Sequence, residues 1–244
     1  MQSSQTERRL LAGPASRLAE LRRALRIFAE LLRGFRALHF AGPCVTVFGS
    51  ARFPEGHPHY ELAREMGRRI GRMGFTVMTG GGPGIMEAAN RGARDVGACS
   101  IGCNIALPLE QVPNPYLDRF IEFEHFFVRK LMLVKYSYAF LALPGGFGTL
   151  DEVFEVATLI QTRKIEGFPC VLMGLEYWAP LREFIEKQMT AAGTISRADA
   201  AQILFTDDPE LAMRWIAERT EALLAAHRPP RPLRLLGEKG MAPR

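Results

Sequence analysis

After Ser16 the apolar residues Leu18, Leu21, Leu25, Phe28, Leu32 and Phe35 recur at spacings of 3, 4, 3, 4 and 3, the seam of an amphipathic helix with coiled-coil-like periodicity. Such a seam needs a partner surface, supplied either by the rest of the chain or by a second subunit. The pattern then changes to short, uncharged, strand-like runs separated by helical stretches. Cys44–Phe48 reads as a strand, His59–Met73 as a helix, Phe75–Thr79 as a second strand and Ile85–Val96 as a helix. A third strand is expected over Ser100–Leu107, followed by a proline-rich loop, Pro108–Asp118, and a short strand, Phe120–Phe123. A helix over Phe127–Tyr136 precedes the strand Tyr138–Leu143, and an apolar helix over Val153–Ile160 follows it. Pro169–Met173, Trp178–Ala191 and Ile203–Phe205 continue the alternation. Asp208-Pro-Glu210 supplies an N-cap, a first-turn proline and an early acid for a last helix reaching Leu224.

Strands alternating with helices predict an α/β fold in three layers, with a mainly parallel sheet flanked by helices. The expected organisation is a mobile leader over 1–15, one nucleotide-binding domain over 16–226 that includes the N-terminal helix 16–38, and a flexible Pro/Arg-rich tail over 227–244. In parallel sheets ligands bind at the carboxyl ends of the strands, near the switch in strand order. Three strands end in turns there: Gly49-Ser50, Gly80-Gly81-Gly82-Pro83-Gly84 and Pro144-Gly145-Gly146-Phe147-Gly148-Thr149. Glycine lets an anion approach the backbone, and the helix that follows contributes unsatisfied N–H groups and a partial positive charge. Glu152 and Glu87 are expected in the first turns of the two helices, where the helix field keeps a carboxylate ionised.

Composition narrows the possible functions. Hydrophobic residues make up 48% of the 244 and charged residues 23%, ordinary values for a globular protein. No apolar run reaches the roughly 18 residues of a membrane span, and no signal peptide is evident, so a cytoplasmic location is expected. The net charge of +5 is concentrated at the ends: residues 1–36 hold eight Arg against three Glu, and residues 227–244 hold five basic residues against one acidic. Binding to nucleic acid through these basic ends is a competing possibility, but no RNA-binding motif or zinc finger accompanies them. Cys44, Cys99, Cys103 and Cys170 form no C-x-x-C pair, so no metal site is assigned. His57, His59 and His125 lack ligand spacing and a nucleophile, and no chemistry is assigned to them. Neither glycine turn fits a P-loop or the usual dinucleotide fingerprint.

The segment Pro144-Gly-Gly-Phe-Gly-Thr-Leu-Asp-Glu152 resembles the P-G-G-x-G-T-x-x-E signature of the Lonely Guy (LOG) family of cytokinin riboside 5′-monophosphate phosphoribohydrolases. Gly80-Gly-Gly-Pro-Gly-Ile-Met-Glu-Ala-Ala-Asn90 resembles the family's other glycine motif, and Val128-Arg-Lys130 its Arg-Lys element. The resemblance runs from Val45 to Ile165 without departure at a motif position. It implies a Rossmann-like fold, a homodimer or larger homo-oligomer, and hydrolysis of AMP or an N6-modified AMP to free base and ribose 5-phosphate. It also implies Glu152 and Arg129 as the catalytic pair.

The residue chemistry agrees with that role. Cleaving a ribosyl–base bond passes through an oxocarbenium-like state, which a carboxylate stabilises while it positions or deprotonates water. The planar fork of Arg129 suits a phosphate, a ribose hydroxyl or the leaving base. Gly49, Ser50, Gly81, Gly82, Gly84, Glu87, Lys130, Pro144, Gly145, Gly146, Gly148 and Thr149 are the expected substrate-binding residues. The label lysine decarboxylase, often attached to this family, finds no support, since no pyridoxal phosphate or Schiff-base site is identifiable, and no cofactor is assigned. The alternative is a carrier of the same fold that holds a nucleotide or molybdenum cofactor without cleaving it.

Overall fold

The computed structural model describes residues 4–106, 112–226, 228 and 230. Seven strands form one sheet: β1 (Cys44–Phe48), β2 (Thr76–Thr79), β3 (Ser100–Ile105), β4 (Arg119–Phe123), β5 (Ser137–Ala142), β6 (Cys170–Met173) and β7 (Ile203–Thr206). Their order is β4-β3-β2-β1-β5-β6-β7, and every neighbouring pair is parallel. The chain winds outward from β1 to β4 on one side and then returns to lay β5 beside β1. The switch point therefore lies between β1 and β5, where Val45 pairs with Ala139 and Phe48 with Ala142.

Each central strand is buried on both faces, which is why these strands read as continuous apolar runs. Val45, Val47, Val77, Ala139, Leu141 and Val171 face one helical layer, made by α3 (Pro58–Arg72), α4 (Ile85–Asp95) and α9 (Pro209–Ala226). Phe48, Met78, Phe140, Cys170 and Leu172 face the other. That second layer holds α2 (Arg17–Leu38), α5 (Phe126–Lys135), α6 (Phe147–Gln161) and α7 (Leu175–Glu183). The helix containing α7 runs on through a π-helical turn, Phe184–Met189, and a short helix, α8 (Arg197–Ala200), opens with a capping box on Ser196.

The leader, expected to be mobile, carries a helix, α1 (Ser4–Leu10), whose Glu7 Oε1 accepts the Phe126 N–H at 3.0 Å. The N-terminal helix packs on its own chain, with only Phe35 of the seam against the core. Ile27, Leu31, Gly34 and Leu38 face the core, whereas Leu18, Leu21, Leu25, Phe28 and Leu32 are each more than half exposed. Leu107, most of the proline-rich loop's first half and nearly all of the tail lie outside the described residues. Among the described residues no helix is long and apolar enough to cross a membrane.

Candidate active site

The three glycine turns meet at the β1/β5 switch point and are wired together by Ser50. Its N–H donates to Pro144 O at 3.0 Å, and its carbonyl accepts from Ile85 N at 3.0 Å. Two glycines permit this approach. A Cβ on Gly49 would lie 2.5 Å from Ile85 Cγ2, and one on Gly84, at φ 69°, would lie 2.5 Å from Ser50 O. The Gly80–Gly84 run is held from beneath by a buried amide network. Thr79 Oγ1 bonds Asn90 Oδ1 at 2.6 Å and accepts from Gly81 N at 2.9 Å. Asn114 donates through Nδ2 to Gly82 O and to Asn90 Oδ1, while its own N–H donates to Gly81 O. A buried Asn on the alanine-rich face of α4 was the available signal for this network, since an apolar face tolerates an amide only when its bonds are satisfied.

The turn after β5 delivers the start of α6. A Cβ on Gly145 would lie 2.1 Å from Thr149 Oγ1 and 3.1 Å from Ser50 N, whereas nothing stands within 4 Å of one on Gly146 or Gly148. Gly146, the N-cap, therefore opens onto free space beside the first-turn N–H groups of a 15-residue helix, the kind of helix start at which anions are favoured. Tyr177, unassigned from sequence, braces this turn from α7 by donating its hydroxyl to Gly145 O at 2.7 Å. Phe147 projects from it, 92% exposed.

Glu152 differs from expectation. Because α6 starts at Phe147 rather than near Val153, Glu152 falls in its second turn, beyond the reach of the helix-end field, and it is 1% exposed. Burial pushes its carboxyl up from the ordinary 4.5 to about 7, against the opposing pull of Arg129 and Lys130. Its Oε1 accepts from Arg129 Nη1 at 3.2 Å, and its buried Oε2 has no hydrogen-bond partner. Arg129 is aimed by a second bond, Nε to Cys103 O at 3.0 Å, and its Nη2 would stand 3.4 Å from a Cβ on Gly80. The guanidinium thus lies between the two glycine turns.

A scan against protein-family models matches residues 86–216 to one described as "Possible lysine decarboxylase". The cytokinin riboside 5′-monophosphate phosphoribohydrolase of Rhodococcoides fascians is 32% identical over 177 residues, covering 70% of this chain and 88% of that protein. The chain belongs to the LOG family. The LOG phosphoribohydrolase of Oryza sativa subsp. japonica is 30% identical over 71% of each chain. A pyrimidine/purine nucleotide 5′-monophosphate nucleosidase of Escherichia coli K12 is 28% identical, the match covering 37% of that longer protein. Among solved structures, the molybdenum cofactor carrier protein of Chlamydomonas reinhardtii overlays with a TM-score of 0.55 at 23% identity, covering 74% of this chain and 98% of that one. At that identity the likeness establishes a shared fold.

Within this LOG-family site the structure sorts the expected residues into two groups. Gly49, Ser50, Gly81, Gly82, Gly84, Pro144, Gly145, Gly146, Gly148, Thr149, Arg129 and Glu152 lie on or beside the three turns. Lys130 and Glu87 are hydrogen-bonded to protein partners, although Lys130 stays close enough to Glu152 to pull its pKa down. Lys130 Nζ sits 2.9 Å from Asp151 Oδ1 and 3.1 Å from Glu155 Oε2, linking α5 to α6. Glu87 Oε1 accepts the Tyr60 hydroxyl at 3.1 Å, on the α3 side of α4. His57 Nδ1 caps α3 by accepting from His59 N, and His125 pairs with Glu30. Among the described residues no group of three or more His, Cys, Asp or Glu side chains is placed to hold a metal.

Proposed function

We propose that this chain hydrolyses the N-glycosidic bond of a nucleoside 5′-monophosphate, AMP or an N6-modified AMP, to free base and ribose 5-phosphate. One observation carries the reading: a buried carboxylate is held at one oxygen by Arg129 and unpartnered at the other, and the same guanidinium stands 3.4 Å from the Cβ position of Gly80 in the second glycine turn. The 5′-phosphate sits at the start of α6, against Gly145, Gly146 and Gly148. The ribose then extends toward Glu152, whose Oε2 accepts from a sugar hydroxyl or from the attacking water. As the C1′–N bond lengthens, its electron pair leaves with the base and positive charge grows on the ribosyl ring. Ionised Glu152 stabilises that charge. Water adds to C1′, its proton passes to Glu152 and from there to the departing base nitrogen, which returns Glu152 to its ionised form. A pKa near 7 suits a group that must both hold charge and accept a proton near neutrality.

The names of the relatives support this reading, since phosphoribohydrolases and a nucleotide nucleosidase share the matched region. A carrier of nucleotide or molybdenum cofactor has less need of a buried carboxylate beside an arginine, so the Glu152–Arg129 pair favours the hydrolase. We further propose that residues 16–226 act as one catalytic unit in a cytoplasmic homo-oligomer, with the exposed seam of α2 available for subunit contact. Incubation of the purified protein with AMP tests the reading: adenine and ribose 5-phosphate are expected, and AMP bound but intact supports the carrier instead.

A further inference from the structure

The first turn of α5, which delivers Arg129, lacks a cap of its own. His125 occupies the N-cap position, but its side chain makes no capping bond, so the leading N–H groups must find acceptors elsewhere. They find them in the N-terminal helices. Glu30, in the middle of α2, accepts from the N–H of Glu124 and at 3.4 Å from that of His125 with Oε1, while its Oε2 lies 2.5 Å from His125 Nδ1. Glu7 of α1 accepts from Phe126 N. Two carboxylates thus stand at the positive end of α5, where a negative charge is favoured.

Glu30 and His125 are both nearly inaccessible to solvent. A buried pair of this kind seldom adds stability over an apolar replacement of equal volume, so its place in the structure is what needs a reason. The helices touch closely around it. A Cβ on Gly34 would lie 2.9 Å from Met132 Cε and 3.0 Å from Phe123 Cε1. Arg33 Nη2 bonds Glu122 O at 2.7 Å, and Tyr136 donates its hydroxyl to Phe35 O at 3.2 Å. From this clamp the path to the site is one helical turn, because Arg129 N donates to His125 O at 3.2 Å. The region matched by the family model starts at residue 86, so Glu30 lies outside it.

We propose that Glu30 is a positioning residue: by capping α5 from α2 it sets where the Arg129 guanidinium meets Glu152. The proposal rests on the hydrolase reading for its kinetic consequence only. In the full-length protein, Glu30→Ala is expected to lower kcat for AMP about tenfold with KM changed less than about threefold, since small misplacements of a catalytic group are costly. Glu30→Gln, which keeps an acceptor oxygen, should fall between Glu30→Ala and wild type. Leu31→Ala, on the same packed face of α2, should leave kcat within about twofold although it loosens packing. In an Arg129→Lys background the Glu30→Ala loss should shrink to less than about twofold, the non-additivity expected of residues acting through one another. Hydrogen exchange supplies a readout independent of turnover: amides of 124–130 should exchange faster in Glu30→Ala than in Leu31→Ala. An undiminished loss in the Arg129→Lys background, an equal loss in Leu31→Ala, or unchanged exchange over 124–130 overturns the proposal. A wild type that cleaves no AMP ends the hydrolase reading alone, and the exchange measurement then decides the role of Glu30.

Discussion

Arg129 Nη1 reaches Glu152 Oε1 across 3.2 Å, while the other oxygen of that carboxylate is buried without a partner. This half-satisfied state is costly for a structural ion pair, because a buried acceptor left unpaired forfeits about 1–3 kcal/mol. It is the state expected of a group waiting for a substrate hydroxyl or a water. Replacing the acid by its amide therefore separates stability from function. Glu152→Gln should lower kcat by about two to four orders of magnitude, the usual worth of a positioned acid–base group. Steady-state assay of the folded variant checks this.

The same substitution carries a stability prediction with a defined sign. The folded-state pKa of Glu152 is raised, so between its ordinary 4.5 and about 7 the folded protein holds a proton that the unfolded chain has released. Ionised Glu152 thus costs stability progressively as pH rises through this window. At about 1.4 kcal/mol per unit over this window the cost is roughly 3.5 kcal/mol above pH 7. Glu152→Gln should therefore raise Tm at pH 8 and leave it nearly unchanged below pH 4.5. Thermal unfolding of both proteins across this range is the measurement. For the free enzyme kcat/KM should climb with pH along a limb centred near 7 and absent from the residual activity of Glu152→Gln.

The alternation of strands and helices was legible along the chain because each central strand is buried on both faces and ends in glycine or in a capped helix. The site's parts were legible for the same reason: strands that end in glycine turns bring those turns to one sheet edge. The environment of Glu152 was not. A helix that begins at Phe147-Gly148-Thr149 has a glycine in its first turn and no cap side chain, so the apolar run from Val153 set the expected boundary too late and put Glu152 in the first turn, ionised by the helix field, rather than buried in the second. Contacts between distant segments carry no local pattern, which hid Glu30–His125 altogether and hid the partner of Asn90, although its place on an apolar face marked it as needing one. The seam of α2 was visible, yet periodicity alone does not say which stripe faces the sheet.

Two neighbouring glycines should respond differently to alanine. In Gly145→Ala the new methyl meets Thr149 Oγ1, so the turn must shift, with an expected loss of about 1–3 kcal/mol and of phosphate binding. In Gly146→Ala the methyl enters open space, so stability should hold within about 1 kcal/mol while the occupied cradle raises KM for AMP. Equal Tm losses in the two variants would contradict the placement of the cradle.

The exposed stripe of α2 makes an assembly prediction. Sedimentation of the wild type should give a mass above that of one 27.2 kDa chain. Leu25→Glu with Phe28→Glu, which charges the centre of the stripe, should reduce it to one chain. These side chains face away from the core, so the variant should keep its fold.

Arg129→Lys keeps the charge but loses the fork that reaches Cys103 O and Glu152 together. Turnover should fall by about two orders of magnitude, measured at saturating AMP.

The decisive experiment quantifies ribose 5-phosphate and free adenine after incubating AMP with the wild type and with Glu152→Gln at equal concentration near pH 8. Equimolar release of both products by the wild type and a loss of at least about a hundredfold in the variant are expected. Release at the same rate by a folded Glu152→Gln protein, or none by the wild type, would contradict the assignment of Glu152 as the residue that breaks the glycosidic bond.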